Sequence, residues 1–164
     1  SGKGSGTSGS GGRKSETSDI VIENGGDIAA VTVFPLHVAL FVGSDSPFTG
    51  LAFCIEGDGR RHAICSSSGK RGHSTSFGVC DVATVFSSSA PLADAAATAL
   101  CNAIKSQADM EEKLEAILKI DGVDGAVAVL GDRFGRVGDI PPIVTHKDPD
   151  LTAKVSRDPA SGPI

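Results

Sequence analysis

Three short runs carry the side chains with which this chain could do chemistry. In Leu92-Ala93-Asp94-Ala95-Ala96-Ala97-Thr98 a carboxylate and a hydroxyl stand four residues apart, which on a helix places them one turn apart on the same face. Hard oxygen donors in that arrangement suit magnesium, with phosphates, waters and backbone carbonyls completing its octahedron. A second run, Ser66 to Gly78, is a long polar stretch offering hydroxyls, backbone amides, Lys70, Arg71 and His73. Polar loops of that length inside a domain tend to carry function. His73, flanked by hydroxyl residues, has two equal readings: an anion binder or proton shuttle, and a solvated loop histidine. The third run, Asn24-Gly25-Gly26-Asp27, also has two readings. Its glycines supply the positive φ of a hairpin turn, which is the stronger reading, or they let a ligand approach the backbone while Asp27 binds a hydroxyl.

The elements that must position these runs follow from their pattern. Asp19 to Glu23 is a β-branched strand ended by the glycine turn, and Ile28 to Phe34 is its successor. After Pro35, His37 to Val42 reads as a buried strand that places His37 in a core or at a strand edge. Leu51 to Glu56, then Gly57-Asp58-Gly59, then Arg61 to Cys65 reads as a hairpin, so the middle of the chain is expected to meander. Asp81 to Phe86 is another strand.

Pro91 suits a first helical turn and a preceding serine can cap it, which predicts a helix from Pro91 to Lys105. Small and apolar residues at Leu92, Ala95, Ala96, Ala99, Leu100, Ala103 and Ile104 mark its expected buried face, and Asp94, Thr98 and Asn102 form a separate stripe. A first-turn carboxylate is also favoured by the helix dipole alone, so Asp94 has a non-metal reading. Thr98 is harder to explain that way, because threonine is a mediocre mid-helix residue. Asp109 to Ile120 is a second helix with Leu114, Ile117 and Leu118 inward and its charges on a solvated face. Gly125 to Leu130 is a last apolar strand, turned by Gly131 to Gly135 into Arg136-Val137-Gly138.

Composition bounds the rest. The chain has 164 residues, enough for one domain with a real core, and only 4% aromatic residues, so that core is built from Ala, Val, Ile and Leu. A net charge of -5 argues against a nucleic-acid partner, which needs clustered Lys and Arg. No apolar run is long enough to span a bilayer and no apolar signal core opens the chain, so a soluble protein is expected. Cys54, Cys65, Cys80 and Cys101 are irregularly spaced in apolar or small-residue segments, as reduced core residues of a cytoplasmic protein rather than a metal or disulfide framework. Residues Ser1 to Ser18, with six Gly and six Ser, read as a disordered arm, since a phosphate loop needs a strand before it and a helix after it. The expected organisation is this arm at 1–18, an α+β domain at 19–140 and an extended, proline-bearing tail at 141–164.

Taken in order, Asn24-Gly25-Gly26-Asp27-Ile28, Ser67-Ser68-Gly69, Gly72-His73-Ser74 and Leu92 to Ala99 resemble ApbE-related proteins, and most of all their prokaryotic branch of unassigned function. The resemblance covers about Asp19 to Asp139, and the Leu-Ala-Asp-Ala-x-Ala-Thr run is its most specific part. It implies FAD or FMN as cofactor, with magnesium, and a flavin transferase or flavin-nucleotide hydrolase activity, FMN passing to an acceptor protein in the transferase case. It implies Asp94 and Thr98 as metal ligands, and Asn24, Gly25, Gly26, Asp27, Ser67, Ser68, Gly69, His73 and Ser74 at the flavin nucleotide, with His73 near the pyrophosphate. His73 and Asp94 are the implied catalytic pair.

The chain departs from that pattern twice. Ser74-Thr75-Ser76-Phe77-Gly78 stands where active transferases have Asp-Pro-x-Thr-Gly, and only the Gly/Ser arm precedes Ile20 where relatives carry a further portion. Either this chain is part of a larger protein, or a homo-oligomer or that portion on another chain supplies the missing wall of the site. The other function class left open is a non-catalytic binding or assembly module that keeps the fold. The fold expectation is α+β: a mostly antiparallel sheet of about six strands, with both helices packed on it.

Overall fold

Short β-branched and alanine-rich runs separated by glycine turns favour local antiparallel pairing, and that is how the chain folds in a computed structural model describing residues 19–69 and 79–145. The elements in order are β1 (Ile20–Asn24), β2 (Asp27–Val31), β3 (Leu36–Ala39), β4 (Leu51–Ile55), β5 (Arg61–Ser67), β6 (Val82–Ser87), α1 (Ala90–Ala103), α2 (Met110–Leu118), β7 (Val123–Leu130), β8 (Arg133–Gly138) and β9 (Ile143–Thr145). Six strands form one sheet in the order β1-β2-β5-β6-β7-β8, and β3-β4-β9 form a second. Every recorded strand pairing is antiparallel. The architecture is α+β, as expected.

The large sheet is the middle of three layers. Alternate residues of its strands point to opposite faces. Ala63, Cys65, Ala83, Val85, Ala126 and Ala128 pack against the helices. Ile64, Val82, Phe86, Val127 and Val129 pack against Val38, Leu40, Phe53 and Ile55 of the small-sheet side. Small residues dominate the helix side, so α1 lies close over β5 and β6, and α2 lies over β7 and β8. On the other side Phe53 meets Phe86 edge-on, with ring centroids 4.8 Å apart. β6 is buried along its whole length, as a central strand between two covered faces must be.

The structure corrects four expectations. Leu51 to Cys65 is not a hairpin: β4 pairs with β3 and β9, whereas β5 pairs with β2 and β6. The intervening glycine is a crossing point between sheets, since a Cβ on Gly57 would lie 2.4 Å from the Phe34 nitrogen and the Val33 carbonyl carbon. Ile143–Thr145, within the stretch read as an extended tail, joins the small sheet beside β4, where Ile143 and Val144 are half-buried.

On α1 the buried face is Ala93, Ala96, Ala97, Leu100 and Cys101, while Ala95, Ala99 and Ala103 are exposed. Alanine fits either side of a helix, and counting Cys101 as a small hydrophobe rotates the stripe into its observed phase. Ser89 occupies the N-cap position without a side-chain capping bond. Ser87 takes over, its hydroxyl accepting from the Ser89 N–H at 3.0 Å and donating to the Gly122 carbonyl at 2.7 Å.

His37 is exposed on β3, an edge strand of the small sheet. All four cysteines are free thiols, three buried and Cys54 half-buried. No described helix is long and apolar enough to cross a membrane.

Candidate functional site

The glycine turn and the Asp/Thr helix, distant in sequence, converge at one end of the helix side of the large sheet. Gly25 and Gly26 have φ of 63° and 124°, the left-handed pair that a two-residue hairpin between β1 and β2 requires. The turn needs glycine for that conformation rather than for room, because a Cβ on Gly25 would meet nothing within 4 Å. Asn24 and Asp27 close the hairpin as its last register pair.

Asp27 then stands directly opposite Cys65 of β5. Its carboxylate accepts hydrogen bonds from the Cys65 thiol and the Ser66 N–H. Burial first, and the nearby Asp94 charge second, hold the Asp27 carboxyl above its ordinary value of 3.8 despite those two bonds. The Cys65 thiol is pushed up to about 12, by burial and then by the Asp27 charge. It also points at the Ala90 carbonyl, 3.6 Å away at the start of α1. Cys65 is therefore a protonated hydrogen-bond donor at neutral pH, not a nucleophile.

Asp94 reaches this corner from α1, which begins at Ala90 and has no acidic residue in its first turn. The dipole explanation for Asp94 loses force, because dipole stabilisation fades beyond that turn. Asp94 and Thr98 are both exposed, one turn apart. Ser67 ends β5 on the same side of the sheet as Cys65, opposite Ala83, and Ser68 and Gly69 follow it. The Gly69 N–H donates to the Cys80 carbonyl at 3.0 Å, which fixes the point where the polar run leaves the sheet. His73 and Ser74 lie outside the described residues.

The predicted residues Asn24, Gly25, Gly26 and Asp27 are thus on one turn, and Asp94 comes within electrostatic reach of Asp27. Sequence reasoning missed Cys65 as their partner. It immediately precedes the Ser66 to Gly69 run, but only the β2–β5 register puts it under Asp27. Among the described residues no group of three or more His, Cys, Asp or Glu side chains is placed to hold a metal ion. The available donors are two carboxylates and the Thr98 hydroxyl, all hard oxygens, which is the partial set that magnesium accepts when phosphates and water supply the rest. The residues present fit magnesium on those terms. A groove of about 280 Å³ lies elsewhere, between α2 and the edge strand β8, lined by Met110, Leu114, Phe134 and Arg136 among others. The site is open, with its acidic corner at the β1–β2 end of the sheet.

A layered α+β domain with a glycine-turn carboxylate facing an Asp/Thr helix is the class this geometry defines. The family model described as AbpE bacteria matches residues 9–130, and the chain belongs to that family. It is 43% identical over 126 residues to a UPF0280 protein of Methanosphaerula palustris, which is 76% of this chain and 52% of that protein. It is 45% identical over 123 residues to a UPF0280 protein of Methanothrix thermoacetophila, 75% of this chain and 51% of that protein. With a UPF0280 protein of Methanospirillum hungatei the identity is 42% over 134 residues, 80% of this chain and 52% of that protein. The chain spans about half the length of the curated relatives it matches.

Proposed function

We propose that this chain contributes a magnesium-dependent site for a flavin nucleotide, FAD or FMN, in a protein whose activity is flavin transfer or flavin-nucleotide hydrolysis. The observation that carries the reading is the approach of Asp94 on α1 to Asp27 on β2 at an open corner: burial first and the Asp94 charge second raise the Asp27 carboxyl, and a cation beside the two carboxylates lowers their mutual repulsion. Asp94 and Thr98 would hold the magnesium, which when bound neutralises diphosphate charge. The Asn24 to Asp27 turn presents exposed backbone at Gly25 and a carboxylate at Asp27 to the flavin side of the ligand. Ser67 and Ser68 supply hydroxyls beside it, Gly69 follows them where the run leaves the sheet, and His73 and Ser74 belong to the same run.

Calorimetric titration of FAD with and without magnesium tests the reading. Heat only when magnesium is present, lost in Asp94→Ala, is the expected result. No heat under either condition sinks the flavin reading. Binding without release or transfer of FMN assigns the chain to the non-catalytic module instead.

A further inference from the structure

One edge of the large sheet lies open at the far end from the acidic corner. β8 ends the order β1-β2-β5-β6-β7-β8 and pairs on one side only, with β7. The Asp139 N–H donates to the Asp124 carbonyl at 2.8 Å, and the direction of bonding alternates along an antiparallel strand, so Val137, Gly135 and Arg133 turn their backbone groups towards β7. Phe134 and Arg136 turn theirs outward, a short ladder with no partner strand among the described residues. β8 contains no proline and keeps its register with β7 throughout, so neither a proline nor a bulge blunts that edge.

α2 roofs the same edge. A Cβ on Gly135 would lie 2.6 Å from Leu114 Cδ1, and one on Gly138 would lie 2.6 Å from Leu118 Cδ1, so the helix runs along β8 in the direction of the strand. Glu111 and Glu115, exposed and one turn apart, stand on the outer side of the helix, where with Arg133 they line the groove of about 280 Å³. Leu130 and Val137 pack under the helices, so Arg133, paired with Leu130, projects to the helix side. Phe134 packs on the small-sheet side, and Arg136 projects with it. Opposite charges thus share one rim, yet Glu111, Glu115, Arg133 and Arg136 form no ion pair with any described residue.

We propose that β8 is a dimerisation edge, two copies of this chain joining β8 to β8 antiparallel about a two-fold axis beside Gly135, so that the two six-stranded sheets become one. The outward ladder sets the register: Phe134 pairs with the partner's Arg136, and Arg136 with the partner's Phe134. That register stands each guanidinium across from an aromatic ring, a favourable cross-strand pair. It also sets Arg133 opposite the partner's Val137, at the level of the partner's Glu115. An axis normal to the sheet keeps both helix layers on one face. Because α2 lies over β7 and β8 together, the two α2 axes come about 10 Å apart, two strand spacings, which is the distance at which helices pack. Arg133 then lies between its own Glu111 and the partner's Glu115, and the symmetry makes each contact twice. β1, the opposite edge, offers no such match: it and Asp19 before it carry only acidic charges, which self-pairing would set against one another. The β8 interface supplies no wall to the Asp27 corner, and it does not rest on the flavin reading.

Sedimentation equilibrium of this chain over about a hundredfold range of concentration reads the association. A dimer is the expected species. Arg133→Glu and Glu115→Arg each set like charges across the interface and should weaken it at least about tenfold. Mixed in equal amounts, the two variants should re-form a dimer, because each supplies the charge that the other lacks. Arg136→Pro removes an outward N–H and leaves the ladder with β7 in place, so it should give a monomer with an unchanged far-UV spectrum. A monomer at every concentration overturns the proposal. So does a dimer that persists in all three variants, which would place the contact on another face, and so do charge variants that stay monomeric when mixed.

Discussion

Replacing Asp27 by Asn isolates the charge at the centre of the site. The folded state raises the Asp27 carboxyl above 3.8, chiefly through burial and secondly through Asp94. Between 3.8 and the raised value the native state holds more protons than the unfolded chain, so stability falls as pH rises through that window and the loss persists at neutral pH. Asn keeps an oxygen to accept from Cys65 and Ser66 while removing the charge.

Asp27 is only half-buried and Asp94 exposed, so solvent screening limits the gain to about 0.5 kcal/mol, the scale of exposed charge pairs. For a domain of this size that is a rise of about 2 °C in the melting midpoint. Thermal melts of the two proteins at pH 7 and at pH 3 are the assay. Asp27→Asn should melt higher at pH 7 and lose most of the advantage at pH 3, where the Asp27 carboxyl is largely protonated in the folded and the unfolded chain alike. The double variant with Asp94→Asn should gain less than the sum of the singles. A pH-independent difference, or strict additivity, would refute the view that Asp27 and Asp94 share one electrostatic corner.

Other substitutions probe the frame. Gly57→Ala should abolish the native melt or lower it severely, because its Cβ would meet the Val33 and Phe34 backbone at 2.4 Å; an unchanged melt would mean that the crossing between sheets is looser than described. Leu100→Ala, at 1% exposure under the helix layer, should cost about 2–5 kcal/mol in denaturant unfolding. Alkylation of the native chain at pH 8 should modify Cys54 and spare Cys65, Cys80 and Cys101, since those three are buried and the Cys65 thiol is held up to about 12. Rapid labelling of Cys65 would contradict its place under α1.

What the sequence made legible was local. The glycine turn, the strands on either side of it and both helices follow from short-range pattern, because hairpin and helix contacts span few residues. Pairings across long stretches were opaque. Gly57-Asp58-Gly59 has the residues of a hairpin turn, but those same residues suit a chain crossing from one sheet to another, and only the partners of β4 and β5 decide. The phase of α1 was ambiguous because seven of its fourteen residues are alanine. The Asp27–Cys65 contact depends on a β2–β5 register that no spacing rule yields.

The site's location follows from where the sheet stops being covered. Under the centre of α1, Ala93, Ala97 and Leu100 leave no space for a ligand, and the helix-side residues of β5 and β6 beneath them are buried as well. Towards β2 the layer thins, and there the sheet presents Asp27 while the helix presents Asp94 and Thr98. A divalent cation at such a margin gains from two carboxylates that already repel each other, and it can keep water and phosphate as its remaining ligands. Binding magnesium should therefore stabilise the chain by relieving the repulsion that Asp27→Asn removes. The magnesium-induced rise in melting midpoint should shrink in Asp27→Asn and vanish in Asp94→Ala. If the rise is equal in all three proteins, the cation binds elsewhere and the acidic corner is tuned by protons alone.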